Sequence, residues 1–123
     1  MDSPAPAIVV AVDSFKGSLS AADACAAIAA GIRAALPHAD LRLRPMADGG
    51  EGTLAAILGA SAGSERLRVR TRGATGAAID ADAGRLADGS AVLEIAQVVG
   101  ITDATAMAAA IGARDTRGVG IVL

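Results

Sequence analysis

Six consecutive positions, Asp48-Gly49-Gly50-Glu51-Gly52-Thr53, hold two carboxylates, three glycines and a hydroxyl. Carboxylates at that spacing can hold a divalent cation or orient a hydroxyl. Glycines let the backbone reach positive φ and approach a ligand closely. Leu41-Arg42-Leu43-Arg44 precedes the run with strand-like alternation, and Leu54-Ala55-Ala56-Ile57-Leu58 follows it with a helix-like composition. The run is therefore a strand-to-helix turn, and the unpaired N–H groups of a helix start suit an anion. The plainer alternative is a tight turn with Thr53 as the helix cap and two solvated acids. A second polar run, Asp13-Ser14-Phe15-Lys16-Gly17-Ser18-Leu19-Ser20, offers an acid, an amine and three hydroxyls.

Both runs sit where strands end. Ala7-Ile8-Val9-Val10-Ala11-Val12 is continuously apolar, which suits a strand buried on both faces of a parallel sheet. Ser20 with Asp23 resembles a capping box and opens a helix over residues 21–36, which Pro37 stops. Cys25, Ile28, Ala29, Ile32 and Leu36 recur at three- and four-residue steps and form its core stripe. His38 reads as a surface residue. Strand, loop, helix, strand, loop, helix is a βαβα order, the start of a parallel Rossmann- or flavodoxin-like α/β sheet. Ligands on such sheets bind beyond the carboxyl ends of the strands. The expectation is that Asp13, Ser14, Lys16 and Ser18 face Asp48, Glu51 and Thr53 across one crevice.

After residue 59 the character changes. Residues 60–64 are small and linker-like, and Glu65-Arg66-Leu67-Arg68-Val69-Arg70-Thr71-Arg72 alternates strictly, with arginines on one face. That face is either a phosphate-binding surface or the solvated outside of an edge strand, and the second reading is preferred. Residues 73–76 turn the chain, residues 77–83 alternate again, and Asp88-Gly89 signals a hairpin. Residues 91–96 read as a strand in which Glu94, among apolar neighbours, is either functional or outward-facing. Thr102-Asp103 caps a short helix over 104–111, and residues 113–120 read as a polar, glycine-bearing loop. A domain boundary falls at 60–65, giving domains over 1–62 and 63–123, the second a mixed, antiparallel α+β unit.

Composition sets the outer limits. The chain has 123 residues and a net charge of −2, without the broad basic footprint of a nucleic-acid binder. Apolar residues reach 53%, but Ala dominates them and there is one Phe and no Trp or Tyr, so large core side chains are scarce. One cysteine excludes an internal disulfide and fits a reducing compartment. No apolar run approaches the roughly 20 residues that cross a bilayer, and the start lacks the basic region of a signal peptide. The expectation is a soluble cytoplasmic chain with small-molecule partners, neither membrane nor nucleic acid among them. No P-loop, G-x-G-x-x-G, G-x-S-x-G or zinc-type Cys/His spacing occurs.

The two polar runs, with their flanks Val12 to Ala21 and Pro45 to Thr53, resemble the two N-terminal signatures of the bacterial glycerate kinases of the two-domain α/β family. One helix and one strand separate them, as in that family. Gly73-Ala74-Thr75-Gly76 resembles its Gly-Pro-x-Gly turn with Ala74 for the Pro. Residues 91–96 resemble its strand ending in Glu-Met-Ala, and residues 114–120 its Thr-x-Gly-x-Gly loop, here shortened. The resemblance covers nearly all of this chain but only about the first third of the family, so the chain looks truncated. It implies ATP-dependent, Mg²⁺-assisted phosphorylation of glycerate. It puts Asp48 and Lys16 in catalytic roles, with Asp13, Ser14, Ser18, Gly49, Gly50, Glu51, Gly52 and Thr53 binding substrate or phosphate. Whether Asp48 acts as base or metal ligand stays open, and the oligomeric state is not readable. Two rivals remain: an inactive remnant or piece of a split protein, and another α/β acid- or nucleotide-binding domain sharing the loops. Activity of this chain by itself is not expected.

Overall fold

The computed structural model describes residues 5–101 and 103–122. The chain forms two compact units, one running to Asp48 and the other starting at Gly49. Together their elements make the α/β chain expected: a two-stranded parallel sheet and a three-stranded antiparallel sheet, each with helices.

In the first unit, β1 (Ala7–Val10) pairs in parallel with β2 (Asp40–Leu43), Ala7 opposite Asp40 and Val10 opposite Leu43. Pairing continues past both strands, Arg44 N–H donating to Val10 O at 2.8 Å and Met46 N–H to Val12 O at 2.9 Å. The crossover is α1 (Ala21–Ala35). Ser20 caps it as expected: its Oγ accepts from Asp23 N–H at 3.1 Å, and its hydroxyl donates to Asp23 Oδ2 at 2.6 Å. The helix closes on Leu36, whose N–H still reaches Ile32 O, just before Pro37. Its buried stripe is narrower than the spacing predicts. Ala24, Cys25 and Ala29 are buried, whereas Ile28 is 40% exposed and Leu36 is exposed too. The Cys25 thiol lies inside, directed at Val10 O. Nor is β1 covered on both sides: Val10 is buried but Val9 is 61% exposed. A two-stranded sheet with a single helix has one face to give to the core.

In the second unit, β3 (Glu65–Arg72), β4 (Ala78–Arg85) and β5 (Ala91–Leu93) form an antiparallel meander in that order. The turns fall where glycines predict them. Gly76 N–H closes on Gly73 O, and Gly89 N–H on Leu86 O. Helix α2 (Thr53–Ala60) belongs to this unit. Its Leu54 and Leu58 fill the space over Gly84 of β4, where an added Cβ would come within 2.8–2.9 Å of their methyl groups. The packing partner of α2 is β4 of the antiparallel sheet.

Three stretches differ from expectation. Residues 91–96 are not one strand. β5 ends at Leu93, and α3 (Ala96–Val99) begins almost at once, tied to β4 by Gln97 Oε1, which accepts from Asp82 N–H at 2.9 Å. The helix expected over 104–111 is α4 (Ala104–Ala108), capped by Asp103 through Ala106 N–H, followed by a 3₁₀ turn at Ile111–Ala113. Thr102, the other expected cap, lies outside the described residues, as does Leu123. Residues 113–120 are not a loop throughout. Helix α5 (Arg117–Val122) packs on β3, with the Thr71 hydroxyl donating to Gly118 O. Two glycines make this a poor helix by propensity, and tertiary contact overrides them. A Cβ on Gly118 would collide with the Arg72 carbonyl.

The arginine face takes its structural form. Arg66 and Arg68 both donate to Asp82, at 2.9 and 3.0 Å, and Arg70 donates to Asp80 at 3.3 Å. The arginines are exposed and β3 is an edge of its sheet, so this is a charged, aggregation-resistant border. The hydrogen bond from Arg66, and next that from Arg68, hold the Asp82 carboxyl below its ordinary value of 3.8. A lowered value in the folded chain stabilises it above the unfolded value, and that contribution is lost as pH falls through the folded one.

Two expectations follow from this packing. Replacing Arg66 and Arg68 with Ala should move the Asp82 titration midpoint up toward 3.8, followed by carboxyl ¹³C NMR; an unmoved midpoint would refute the pairing. Gly118→Ala should cost about 1–3 kcal/mol as an overpacked contact, read from the urea midpoint. Gly120→Ala has open space around it and should be neutral or stabilising by up to about 1 kcal/mol. Equal effects at the two glycines would contradict the close approach of α5 to β3.

Candidate functional site

In the first unit the carboxyl ends of β1 and β2 lie side by side, because the strands are parallel and Met46 pairs with Val12. Asp13, Ser14, Lys16 and Ser18 follow one strand, and Asp48 comes two residues after the last pairing of the other. These five therefore issue from one sheet edge.

The loop after β1 is held by its own backbone. Phe15 and Leu19 exchange N–H···O bonds of 2.9 and 3.0 Å, and Ser18 N–H also reaches Phe15 O at 2.9 Å. The Ser18 hydroxyl donates to the same carbonyl at 3.1 Å, so its proton is used within the loop while its lone pairs stay available. Asp13 Oδ1 accepts from Ser14 N–H at 2.6 Å. The result is a stiff finger that presents Lys16, exposed, with Phe15 beside it at 58% exposure. A flexible ammonium on a stiff loop is a mobile point charge suited to phosphate or carboxylate oxygens.

Gly49, Gly50, Glu51, Gly52 and Thr53 belong to the second unit. Gly49 and Gly52 have φ of 97° and 90°, a region that disfavours side chains, so the glycines are required by the turn itself. Gly52, not Thr53, is the N-cap of α2, and it has no side chain to offer the first N–H groups. Thr53 is the first helical residue, and its Oγ1 is buried without a hydrogen-bond partner. The cap comes from elsewhere: Glu94 Oε2 accepts from Leu54 N–H at 2.9 Å. Glu94 is only 5% exposed, so the outward-facing reading of this acid is wrong. It leaves the sheet just after β5 and turns inward to the start of α2. The sequence signal for it was an acid among Leu93, Ile95 and Ala96, although periodicity does not reveal its partner. The N–H groups expected to attract a ligand anion are thus met, at Leu54, by a carboxylate of the chain itself.

Among the described residues no group of three or more His, Cys, Asp and Glu side chains could hold a metal, and no helix is long and apolar enough to cross a membrane.

Comparison with known proteins places these loops in context. The chain is 46% identical over 95 residues to the glycerate kinase of Halalkalibacterium halodurans, covering 76% of this chain and 25% of that protein. It is 42% identical over 95 residues to the glycerate 2-kinase of Escherichia coli, with the same coverage. A crystal structure described as glycerate kinase 2 from Salmonella typhimurium superposes with a TM-score of 0.76 at 35% identity, over 96% of this chain and 32% of that one. The chain thus spans about a quarter of the length of the curated relatives it matches. The glycerate kinase family model matches residues 8–123, from the first strand through both polar loops to α5, and the chain belongs to that family.

Proposed function

We propose that the chain carries substrate- and phosphate-handling loops of an ATP-dependent glycerate kinase. The observation that supports this best is the family match over residues 8–123, with both polar loops inside it. In the reaction a glycerate hydroxyl oxygen bonds to the γ-phosphorus of ATP and the bond to the β-phosphate oxygen breaks. ADP leaves, and the hydroxyl proton passes to a base. Such a transfer depends on positioning and charge neutralisation more than on covalent help from the protein.

The residues suit those tasks. Lys16 neutralises phosphate charge or grips the glycerate carboxylate. Asp48 orients the attacking hydroxyl and receives its proton, or ligates Mg²⁺, with Asp13 as an acidic partner at the same sheet edge. Ser14 and Ser18 contact oxygens, and Gly49, Gly50 and Gly52 allow the backbone close to the ligand. The buried, unpaired Thr53 Oγ1 is a polar group that a ligand oxygen would satisfy. Magnesium binds through one or two carboxylates and otherwise through phosphate and water oxygens. Asp13 and Asp48 are exposed acids that meet this demand without a protein cage. When bound, the ion would draw charge from the phosphate oxygens. A soluble, cytoplasmic setting accords with these substrates and with the single buried cysteine.

A second reading is a chain that shares these loops without the activity. A coupled assay of ADP release, with Mg-ATP and glycerate added to this chain, separates the two. In a protein of the relatives' full length bearing these loops, Lys16→Ala and Asp48→Asn should each lower turnover about a hundredfold or more. Turnover within about threefold of the parent for both would defeat the assignment.

A further inference from the structure

We propose that Glu94 is the positioning residue of the 49–53 loop: its buried carboxylate is the resident anion at the start of α2. It fixes the loop's backbone and reserves the Leu54 N–H against ligand anions. The inference rests on reading that loop as ligand-handling, and it deepens that reading by adding a residue outside the loop.

Four observations converge on it. Gly52 occupies the N-cap and contributes no side-chain acceptor, so the first N–H groups of α2 need one from elsewhere. Glu94, forty residues away in sequence, supplies it at 2.9 Å. The carboxylate is 5% exposed, and a buried acid needs strong compensation. A helix N-terminus gives that compensation through a charge-assisted hydrogen bond and its dipole. Finally, Glu94 directly follows Leu93, which pairs with Ala83 in the sheet, so the anchor stands on rigid structure.

The need for an anchor follows from composition. Three of the five residues 49–53 are glycine, and a glycine segment loses the most conformational freedom on ordering. The loop after β1 is held by bonds among its own residues. The 49–53 loop closes internally through Thr53 N–H on Gly50 O at 3.3 Å and is fastened at its helical end by Glu94, just after β5. An anionic ligand group that used Leu54 N–H would first have to displace Glu94. The ligand's anion is therefore served by other donors, and the loop contributes shape and its exposed polar groups.

The test is hydrogen exchange read by mass spectrometry on this chain, comparing peptides covering residues 50–58 with peptides covering 66–84. Glu94→Ala should speed exchange at the start of α2 about tenfold or more while the β3–β4 hairpin stays as protected as in the parent. Glu94→Gln keeps an oxygen at the same reach and should restore most of that protection. Inorganic phosphate should leave the 50–58 peptides of the parent unchanged and protect them in Glu94→Ala, where the resident anion is gone. Equal loss of protection in both regions of Glu94→Ala would reduce Glu94 to a general stability residue and overturn the inference. So would no change at 50–58, or protection of the parent by phosphate. Glycerate with Mg-ATP is a separate arm, run on a protein of the relatives' full length bearing these loops. No response there counts against the glycerate kinase reading and leaves the Glu94 result standing.

Discussion

Leu54 is the residue on which the second unit turns. Its N–H meets the buried Glu94 carboxylate, and its side chain, fully buried, fills the space over Gly84. A buried Leu side chain is worth about 1.5–3 kcal/mol, and a hydrogen bond to a charged group about 1.5–3 kcal/mol. The apolar and polar constraints on this one residue are thus of similar size, and they come from different strands. Gly84 of β4 fixes how closely the helix approaches, and Glu94 after β5 fixes where the helix begins. An eight-residue helix is too short to be stable by propensity. These two contacts are what make it a helix.

How much of this was legible in the sequence depends on whether the deciding interaction was local. Ser20 capping α1, Pro37 ending it, and the glycine turns at 73–76 and 88–89 are read correctly because the chemistry lies within a few residues. The alternation of residues 65–72 is equally plain, and the antiparallel register explains why the arginines cause no strain. Arg68 stands opposite Asp82 and Arg70 opposite Asp80. The failures have the opposite character. The apolar flanks of Glu94 look like a strand because a period of two tolerates one acid, whereas what bends the chain there is a donor forty residues away. The glycines at 118 and 120 argue against a helix, yet Gly118 is what lets α5 lie against the β3 backbone. No window of sequence contains both halves of either contact.

The site shows the same division. That residues 48–53 form a strand-to-helix turn follows from their flanks, and so does the need for glycine at 49 and 52. The start of the helix was legible only to within one residue. A hydroxyl usually makes the better cap, so Thr53 is the natural choice. The structure puts Gly52 at the cap and Thr53 inside the first turn. That shift leaves Thr53 Oγ1 without a partner and Leu54 N–H in need of one. Glu94 answers the second need. The first remains as a buried polar atom, beside backbone that only glycine adopts readily.

The two polar loops therefore solve the same problem in different ways. A group that handles charged ligands must be held still, or the entropy of ordering it is charged against binding. The finger after β1 achieves this locally through the paired Phe15 and Leu19, and leaves Lys16 free to swing on a fixed base. The 49–53 loop, poor in side chains, closes internally through Thr53 N–H on Gly50 O and is fastened to the antiparallel unit by the Glu94 carboxylate. Its geometry is consequently only as secure as the β4–β5 pairing behind Glu94, a ladder of three residue pairs. Substitutions in β5 that touch no polar residue would then act on the glycine loop as directly as changes within it, because they move the acid that fixes where α2 begins.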